Sequence, residues 1–581
     1  MNIMRGDKLL PNLYSIKGLS REDLLNDVVA GVVLALMIIP QAMSYALLAG
    51  LPPIYGLYAS TVPVFLAFLA GSSRYMQTGP VAMVSFMTLI ALGSTYEAGT
   101  EEFIEHAHLL ALIVGIELLV LATVIKALRI KYLLNLISHD IILGFTNAGA
   151  IIIVVTQLKH VLGVDIGHHD VVLGTIAELV RKLASLNPTA LAIGLLTISI
   201  ILGGRRVHRL FPGALVAVIA SAFLVKELAL EGRIMVVGEL PRGLPGVFLP
   251  SLEVSTFTEM LLPASTIVIV GLMEALAIGN YLAKAAREKY DPVKELYGQG
   301  IANISAGFMS AYPVFGSFSR SSLNYFVLKG KSIIVPATVS LMVLLALFFT
   351  DLLHYVPLSA LGGIIIVALM PLIRPRDLIR LYYSNRNDGI VALTVFTLAF
   401  LTRIDTALLI GIAVSLVLFF METVRPRVYE ISRDVTTKTF IENGGNVCPQ
   451  ITIVGIDNDI YFANAGEVFE TIRELLKRKP RTRVLIISGE SINYIDVPGE
   501  EAFLEFIEEL RGMDVEVILV EFKERILEQT YIQEMVEKIG RERVFNHKNE
   551  AIGMAMELVD KQLCSGCPGI FEECCAARGG G

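Results

Sequence analysis

From about residue 26 to residue 422 the chain is a succession of apolar runs, each about 15–20 residues long, joined by short connections. No single soluble core can take up that much apolar surface. The mean hydropathy is +0.65, and charged residues make up 18% of the chain. Ordinary globular chains carry about 25%. The feature therefore prescribes a polytopic α-helical membrane protein. Candidate spans are 26–44, 54–70, 81–94, 107–126, 138–158, 188–203, 211–229, 264–283, 295–310, 319–329, 333–350, 358–373, 388–402 and 405–422.

A full crossing needs about 20 helical residues. The runs 81–94 and 319–329 are too short, and each follows a Gly/Pro-containing stretch: Gln77-Thr78-Gly79-Pro80 and Tyr312-Pro313-Val314-Phe315-Gly316. Irregular backbone at membrane depth survives only when buried in protein or lining a cavity. Two interrupted segments in corresponding halves point to a transporter's binding site. Here they are the third and tenth of fourteen, which suits two inverted seven-helix repeats. Two ordinary kinked helices are the alternative.

Basic clusters fall at Lys126-Arg129-Lys131, Arg205-Arg206-Arg209, Lys284-Arg287-Lys289, Lys329-Lys331 and Arg374-Arg376-Arg380, all on the side of both termini. The loop after the third segment carries Glu97, Glu101, Glu102 and Glu105 instead. The positive-inside rule then places both termini in the cytoplasm of a multi-pass protein of the cell (plasma or inner) membrane. No cleavable signal peptide is expected, because the first apolar run follows a charged lead and passes into Pro40-Gln41 without a small-residue cleavage site. With Trp absent, any interfacial aromatic belt relies on Tyr and Phe. A net charge of −7 gives no basic excess for nucleic acid. Five cysteines are too few for a disulfide scaffold.

After Val424 the chain becomes charged and alternating. Ile451–Val454, Ile460–Phe462, Val484–Ile487 and Val515–Val520 read as strands. Val468, Phe469, Ile472, Leu475 and Leu476 mark one helical face, and Ala502, Phe503, Phe506, Ile507 and Leu510 another. This pattern predicts an α/β domain. The expected division is an N-terminal segment 1–25, a transport domain 26–422, a linker 423–449, an α/β domain 450–562 and a Cys/Gly-containing tail 563–581.

Pro40-Gln41-Ala42-Met43-Ser44-Tyr45-Ala46 and Gly50-Leu51-Pro52-Pro53-Ile54-Tyr55-Gly56-Leu57-Tyr58 resemble the signature of sulfate-permease (SulP) type anion transporters. So do Gln77-Thr78-Gly79-Pro80-Val81-Ala82 and the stretch from Gly271-Leu272-Met273-Glu274-Ala275 to Gly316-Ser317-Phe318-Ser319-Arg320-Ser321. Ile460-Tyr461-Phe462-Ala463-Asn464-Ala465 resembles the STAS domain that follows the membrane domain in that family. The resemblance runs from about residue 20 to 562. It implies core and gate bundles, a homodimer, and transport of sulfate, bicarbonate, chloride or related anions, with no cofactor.

Two half-helices meeting N-terminus to N-terminus would offer free N–H groups and positive dipole ends to an anion. Their starts are Val81 with Ala82, and Phe318 with Ser319. Ser319 adds a hydroxyl, or acts as a helix cap. Arg320 is a guanidinium within a membrane segment, where ionisable groups are functional candidates by default. Snorkelling to the interface is its bland alternative. Gln41 and Tyr45 are four apart and share a helix face. The family pattern puts them against the anion, and plain helix packing is the alternative.

Glu274 lies in an otherwise apolar helix. Burial opposes ionisation of a carboxyl and a neighbouring guanidinium favours it, so the group is a candidate for proton coupling. A structural pair with Arg320 is the alternative. Proton-coupled relatives have Glu here. Sodium-coupled bicarbonate relatives have Asp, a hydroxyl residue one turn later, and no Arg. This chain has Ile278 one turn later, and has Arg320.

In the STAS-like part, Asp496-Val497-Pro498 stands where soluble STAS regulators place a phosphorylatable Ser or Thr after Asp. A phospho-switch is therefore not expected, and Asp496 should cap a helix with Pro498 in its first turn. Cys564, Cys567, Cys574 and Cys575 are weak metal candidates, with ordinary thiols the alternative. No nucleophile–base constellation or nucleotide loop suggests an enzyme. The expected function is proton-coupled uptake of sulfate or a similar oxyanion by alternating access. Alternatives are a bicarbonate or chloride transporter or exchanger, an anion channel, or a STAS-based sensor or scaffold with little transport. Expected partners are the anion, a proton, the bilayer, a second copy and a possible cytosolic protein at the STAS domain.

Overall fold

The structure is a computed structural model that describes residues 12, 15–16, 19–130, 139–167, 169, 171–208, 211–250, 254–433, 439–442, 444, 447–564 and 571. The chain divides into two compact units, Met1–Ser415 and Leu416–Gly581.

In chain order the membrane segments begin with α1 (Arg21–Leu48), a second span broken into α2 (Ile54–Ala59) and α3 (Val62–Ala70), and the short strand β1 (Thr78–Gly79) leading into α4 (Ala82–Gly93). Then follow α5 (Glu101–Leu128), α6 (His139–Leu162), an amphipathic helix α7 (Val172–Arg181), α8 (Pro188–Val207) and α9 (Gly213–Glu227). The second half repeats the order: α10 (Val254–Ala286), α11 (Pro292–Phe308), β2 (Phe315–Gly316) leading into α12 (Phe318–Leu323), α13 (Ile334–Ala346), α14 (Leu358–Leu369), a surface helix α15 (Pro375–Ser384), α16 (Arg386–Leu401) and α17 (Ile404–Val424). Each predicted span coincides with one of these segments. Among the described residues seven helical stretches are long and apolar enough to cross a bilayer, one of them being α14 continued into α15. α4 and α12 are cut short by the two extended leads.

Seven is odd, so a second repeat of seven segments enters from the opposite face and is inverted. The packing carries the same symmetry. Exchanging each segment with the one seven further along turns the α1–α13 contact into α10–α5, and α6–α16 into α14–α8. The packing also separates two bundles. One joins α1, α3, α5, α10, α11 and α13, and the other joins α6, α8, α9, α14 and α16. Small residues let these backbones close up. A Cβ on Gly298 of α11 would lie 2.6 Å from the Gly71 Cα at the end of α3.

The second unit holds one six-stranded sheet, made of β3 (Arg427–Arg433), β4 (Phe440–Glu442), β5 (Ile451–Asp457), β6 (Val484–Ser488), β7 (Glu516–Val520) and β8 (Val544–Phe545), in the order β4-β3-β5-β6-β7-β8. Strands β5 to β8 are parallel, and β3 is antiparallel to both its neighbours. Its helices are α18 (Ala465–Arg478), α19 (Val497–Gly512), α20 (Glu524–Leu527), α21 (Thr530–Ile539) and α22 (Lys548–Leu558). Alternate strand residues feed two cores. Val454, Leu485 and Leu519 meet Phe469, Phe503 and Phe506 of α18 and α19. Ile453, Ile486 and Ile518 meet Ile552 of α22. Strands covered on both faces read as continuous apolar runs, which is how the sequence shows them.

Two expectations need correction here. Residues 423–449, expected as a linker, contribute β3 and β4 to the sheet. Ile460–Phe462 is not a strand: Ile460 makes one isolated bridge, to Ile495. Side chains take the backbone groups that a ladder would need, because Asn464 accepts from the Tyr461 N–H and Asp496 from the Phe462 N–H. Asp496 also caps α19 by accepting from Gly499 N–H, with Pro498 in the first turn, as its spacing predicts. Cys567, Cys574 and Cys575, and the side chain of Cys564, lie outside the described residues.

Candidate functional site

The two extended leads cross. β1 and β2 pair antiparallel, Thr78 with Gly316 and Gly79 with Phe315. The Ser317 N–H donates to Gln77 O at 2.9 Å, and the Gln77 N–H to Ser321 Oγ at 2.8 Å. The chain then turns into α4 on one side and α12 on the other. α12 continues through Leu328 as a π-helix, a form that recurs at functional sites.

A polar ladder on α11 holds the crossing. Glu295, Gln299 and Asn303 sit four residues apart, all buried. Glu295 Oε2 accepts from the Ser72 and Ser73 N–H groups at 3.0 and 3.1 Å. Gln299 Nε2 donates to Thr78 Oγ1 and to Glu295 Oε1, each at 3.0 Å. Asn303 Nδ2 donates to Val314 O at 2.8 Å, and its Oδ1 accepts from Val314 N–H at 2.9 Å. The ladder was available in the sequence as three polar residues at helical spacing in a membrane segment, and the sequence reading missed it.

Neither half-helix spends its first turn on a side-chain cap. Val81 occupies the cap position of α4 and has nothing to offer. At α12 the cap position belongs to Ser317, not Ser319, and its side chain makes no capping bond. Ser319 lies inside the first turn, exposed, with its hydroxyl 3.4 Å from that of Ser317. Val81 and Ala82 are buried, whereas Phe318 is largely exposed.

Arg320 is 1% exposed and is the largest fully buried side chain of the chain's described residues. It does not snorkel. Its Nη1 donates to Pro80 O at 3.0 Å, while Nε and Nη2 have no partner. Unmade bonds at a buried charged group are costly, at least about 1–3 kcal/mol. The charge of Glu274 acts on this charge through space. Tyr312 is a further residue that sequence reasoning missed. It is wholly buried, 3.2 Å by its hydroxyl from Ser85 Oγ of α4. Gln41 and Tyr45 are buried on α1, and Gln41 Oε1 also has no partner.

Beside this layer is a cavity of about 200 Å3. Met83 and Phe318, from the first turns of the two half-helices, line it, with Glu274, Asn147 and Arg374. Glu274 is half-buried. Among the described residues no hydrogen bond or ion pair joins it to Arg320. Of the expected site residues, only Phe318 and Glu274 line the cavity. Gln41, Tyr45 and Arg320 belong to the packed layer around the crossing. Arg374, read from the sequence only as part of a basic cluster, places a cation on the cavity wall.

Gly79 has φ +148°, and a Cβ there would lie 3.2 Å from Arg320 Nη2. Gly79→Ala is expected to cost about 1–3 kcal/mol of backbone strain and to push the guanidinium aside. Uptake should fall at least tenfold in protein that still purifies as folded. Paired thermal-unfolding and uptake measurements check this, and a wild-type rate would show that the guanidinium needs no such clearance.

The family comparison agrees with this architecture. The sulfate permease family model matches residues 24–395 and the STAS domain model residues 446–551. Sulfate transporter 4.1, chloroplastic, of Arabidopsis thaliana is 31% identical over 561 residues, covering 92% of this chain and 80% of that protein. The murine Solute Carrier 26 family member A9 anion transporter, solved in the inward-facing state, superposes with a TM-score of 0.86 at 21% identity, covering 94% of each chain. The transmembrane domain of a cyanobacterium bicarbonate transporter, BicA, superposes with a TM-score of 0.57 at 21% identity, covering 68% of this chain and 98% of that one. With its crossed half-helices, its two seven-segment repeats and its C-terminal STAS domain, the chain belongs to the sulfate permease family.

Proposed function

We propose that the protein is a secondary active carrier that takes up sulfate, or a similar oxyanion, together with protons by alternating access. The observation that supports it most is Arg320: a buried guanidinium with two unpartnered nitrogens, at the crossing of two half-helices whose first turns carry no side-chain cap. An oxyanion arriving from the cavity would accept those donors and the free N–H groups of the first turns. Val81, Ala82, Phe318 and Ser319 would supply the helix starts, Gln41 and Tyr45 the facing wall, and Glu274 the proton. The unpartnered Gln41 Oε1 means that its amide can turn its N–H2 toward an anion without breaking a bond. Proton coupling rests on Glu274 lying on the cavity wall, in contact with neither Arg320 nor another cation by an ion pair among the described residues.

The name of the BicA relative keeps bicarbonate as the second reading, on a fold likeness alone. Labelled sulfate uptake into proteoliposomes, competed by unlabelled selenate, bicarbonate or chloride, separates the two. Selenate should compete at concentrations near sulfate itself, and bicarbonate only at far higher ones. Stronger inhibition by bicarbonate than by selenate would favour the second reading.

The basic loops suit a cytoplasmic location of both termini in the cell membrane, with a second copy and a cytosolic protein as partners. If anion choice lies wholly in the membrane segments, removing β3 to α22 should lower expression or rate and leave the order of anion preference unchanged. The same competition series on the truncated chain checks this, and a switched order would contradict it.

A further inference from the structure

One face of the membrane unit carries the C-terminal ends of α1, α4 and α6 and the N-terminal ends of α8 and α14. It holds two further cavities, of about 360 and 920 Å3, with His160, Asp165 and Leu358 on the walls of both. Glycines draw the surrounding helices together. A Cβ on Gly362 of α14 would lie 3.2 Å from His160 Cβ on α6, and one on Gly194 of α8 would lie 3.4 Å from Ser359 O. All three helices belong to the second bundle, whereas α12, which carries Arg320, packs on α10 of the first.

Polar groups on these walls lack partners. Ser359 is 3% exposed, its hydroxyl has no hydrogen bond, and it lines the smaller cavity as the second residue of α14. His160 Nδ1 is buried without a partner. α14 starts at Pro357 with no side-chain cap; the Leu358, Ala360 and Leu361 N–H groups bond to backbone carbonyls, which leaves the Ser359 N–H free at the positive dipole end of the helix. Lys159 lines the larger cavity and makes no hydrogen bond or ion pair among the described residues. Asp165, exposed on the wall, acts on the Lys159 charge through space and is the one carboxylate common to both cavities.

We propose that this is a second anion-binding site. It would hold a small inorganic anion between the Ser359 hydroxyl, His160 as its Nδ1–H tautomer, and the Ser359 N–H in the first turn of α14. Lys159 supplies positive charge from the adjoining cavity. The site captures anions on the face opposite the basic loops and raises their concentration at the mouth of the carrier. It rests on the carrier reading only for the choice of probe.

Equilibrium dialysis of the purified full-length protein against radiolabelled sulfate, and separately chloride, tests it. The wild type should bind two anions per chain with at least one of these probes. Arg320→Ala should remove one of them. Ser359→Ala and His160→Leu should each weaken the other at least tenfold, while Ser359→Thr keeps it. One anion per chain, lost entirely in Arg320→Ala, would overturn the second site. So would a second anion unmoved by both Ser359→Ala and His160→Leu. Two anions of which Arg320→Ala removes neither would instead count against the crossing-strand site and leave this one standing.

Discussion

Arg320→Ala is expected to abolish measurable transport while leaving the fold and the oligomeric state intact. Alanine removes the donor to Pro80 O and the two nitrogens, Nε and Nη2, that have no partner within the protein. Hydrogen bonds to a charged group are worth about 1.5–3 kcal/mol, which is about ten- to a hundredfold in affinity. The turnover loss should exceed that, since an anion that fails to neutralise the crossing gives the carrier no reason to reorient. The fold should survive because β1 and β2 are held by their own pairing and by Glu295, Gln299 and Asn303, none of which touches the guanidinium. Arg320→Lys should recover only part of the affinity, because an ammonium keeps the charge and loses the planar fork. Isothermal titration with sulfate, alongside size-exclusion and thermal-unfolding profiles, decides it. Wild-type affinity in folded Arg320→Ala would remove Arg320 from the site.

Glu274→Gln should separate binding from coupling. Gln keeps the size and the hydrogen-bonding capacity of the side chain and cannot carry a proton. Uphill uptake driven by an inward proton gradient should collapse, while exchange of labelled for unlabelled anion continues at a substantial fraction of the wild-type rate. Anion affinity should hold or rise, because a carboxylate leaves the cavity wall that the anion must pass. Intravesicular acidification recorded with isotope counterflow reads both quantities. Acidification at the wild-type proton-to-anion ratio in Glu274→Gln would show that the proton travels elsewhere.

The membrane architecture was legible because bilayer thickness imposes a length and hydropathy imposes a composition on every crossing. The interrupted third and tenth segments were legible for a related reason: Gly79-Pro80 and Pro313 to Gly316 cannot continue a helix at membrane depth. What joins those segments was not. The pairing of Thr78 with Gly316 connects residues far apart in the chain, and two-residue strands leave no periodic trace. Tyr312 and Ser85 meet only because the leads cross. The start of α12 at Phe318 and Ser319 was legible, but the cap position falls on Ser317, which only backbone geometry distinguishes from Ser319. The strands β3 and β4 went unread because Arg427–Arg433, with charges at both ends and in the middle, and the three-residue Phe440–Glu442 have a loop-like composition.

The central claim is that a proton gradient moves an oxyanion through the Arg320 crossing. It is tested most directly by labelled sulfate uptake into proteoliposomes of the purified wild type, with and without an inward proton gradient. The expected result is accumulation above the external concentration when the gradient is present, decay to equilibrium when a protonophore is added, and no accumulation with Arg320→Ala. Equal uptake with and without the gradient, or uptake that Arg320→Ala leaves untouched, would contradict the account.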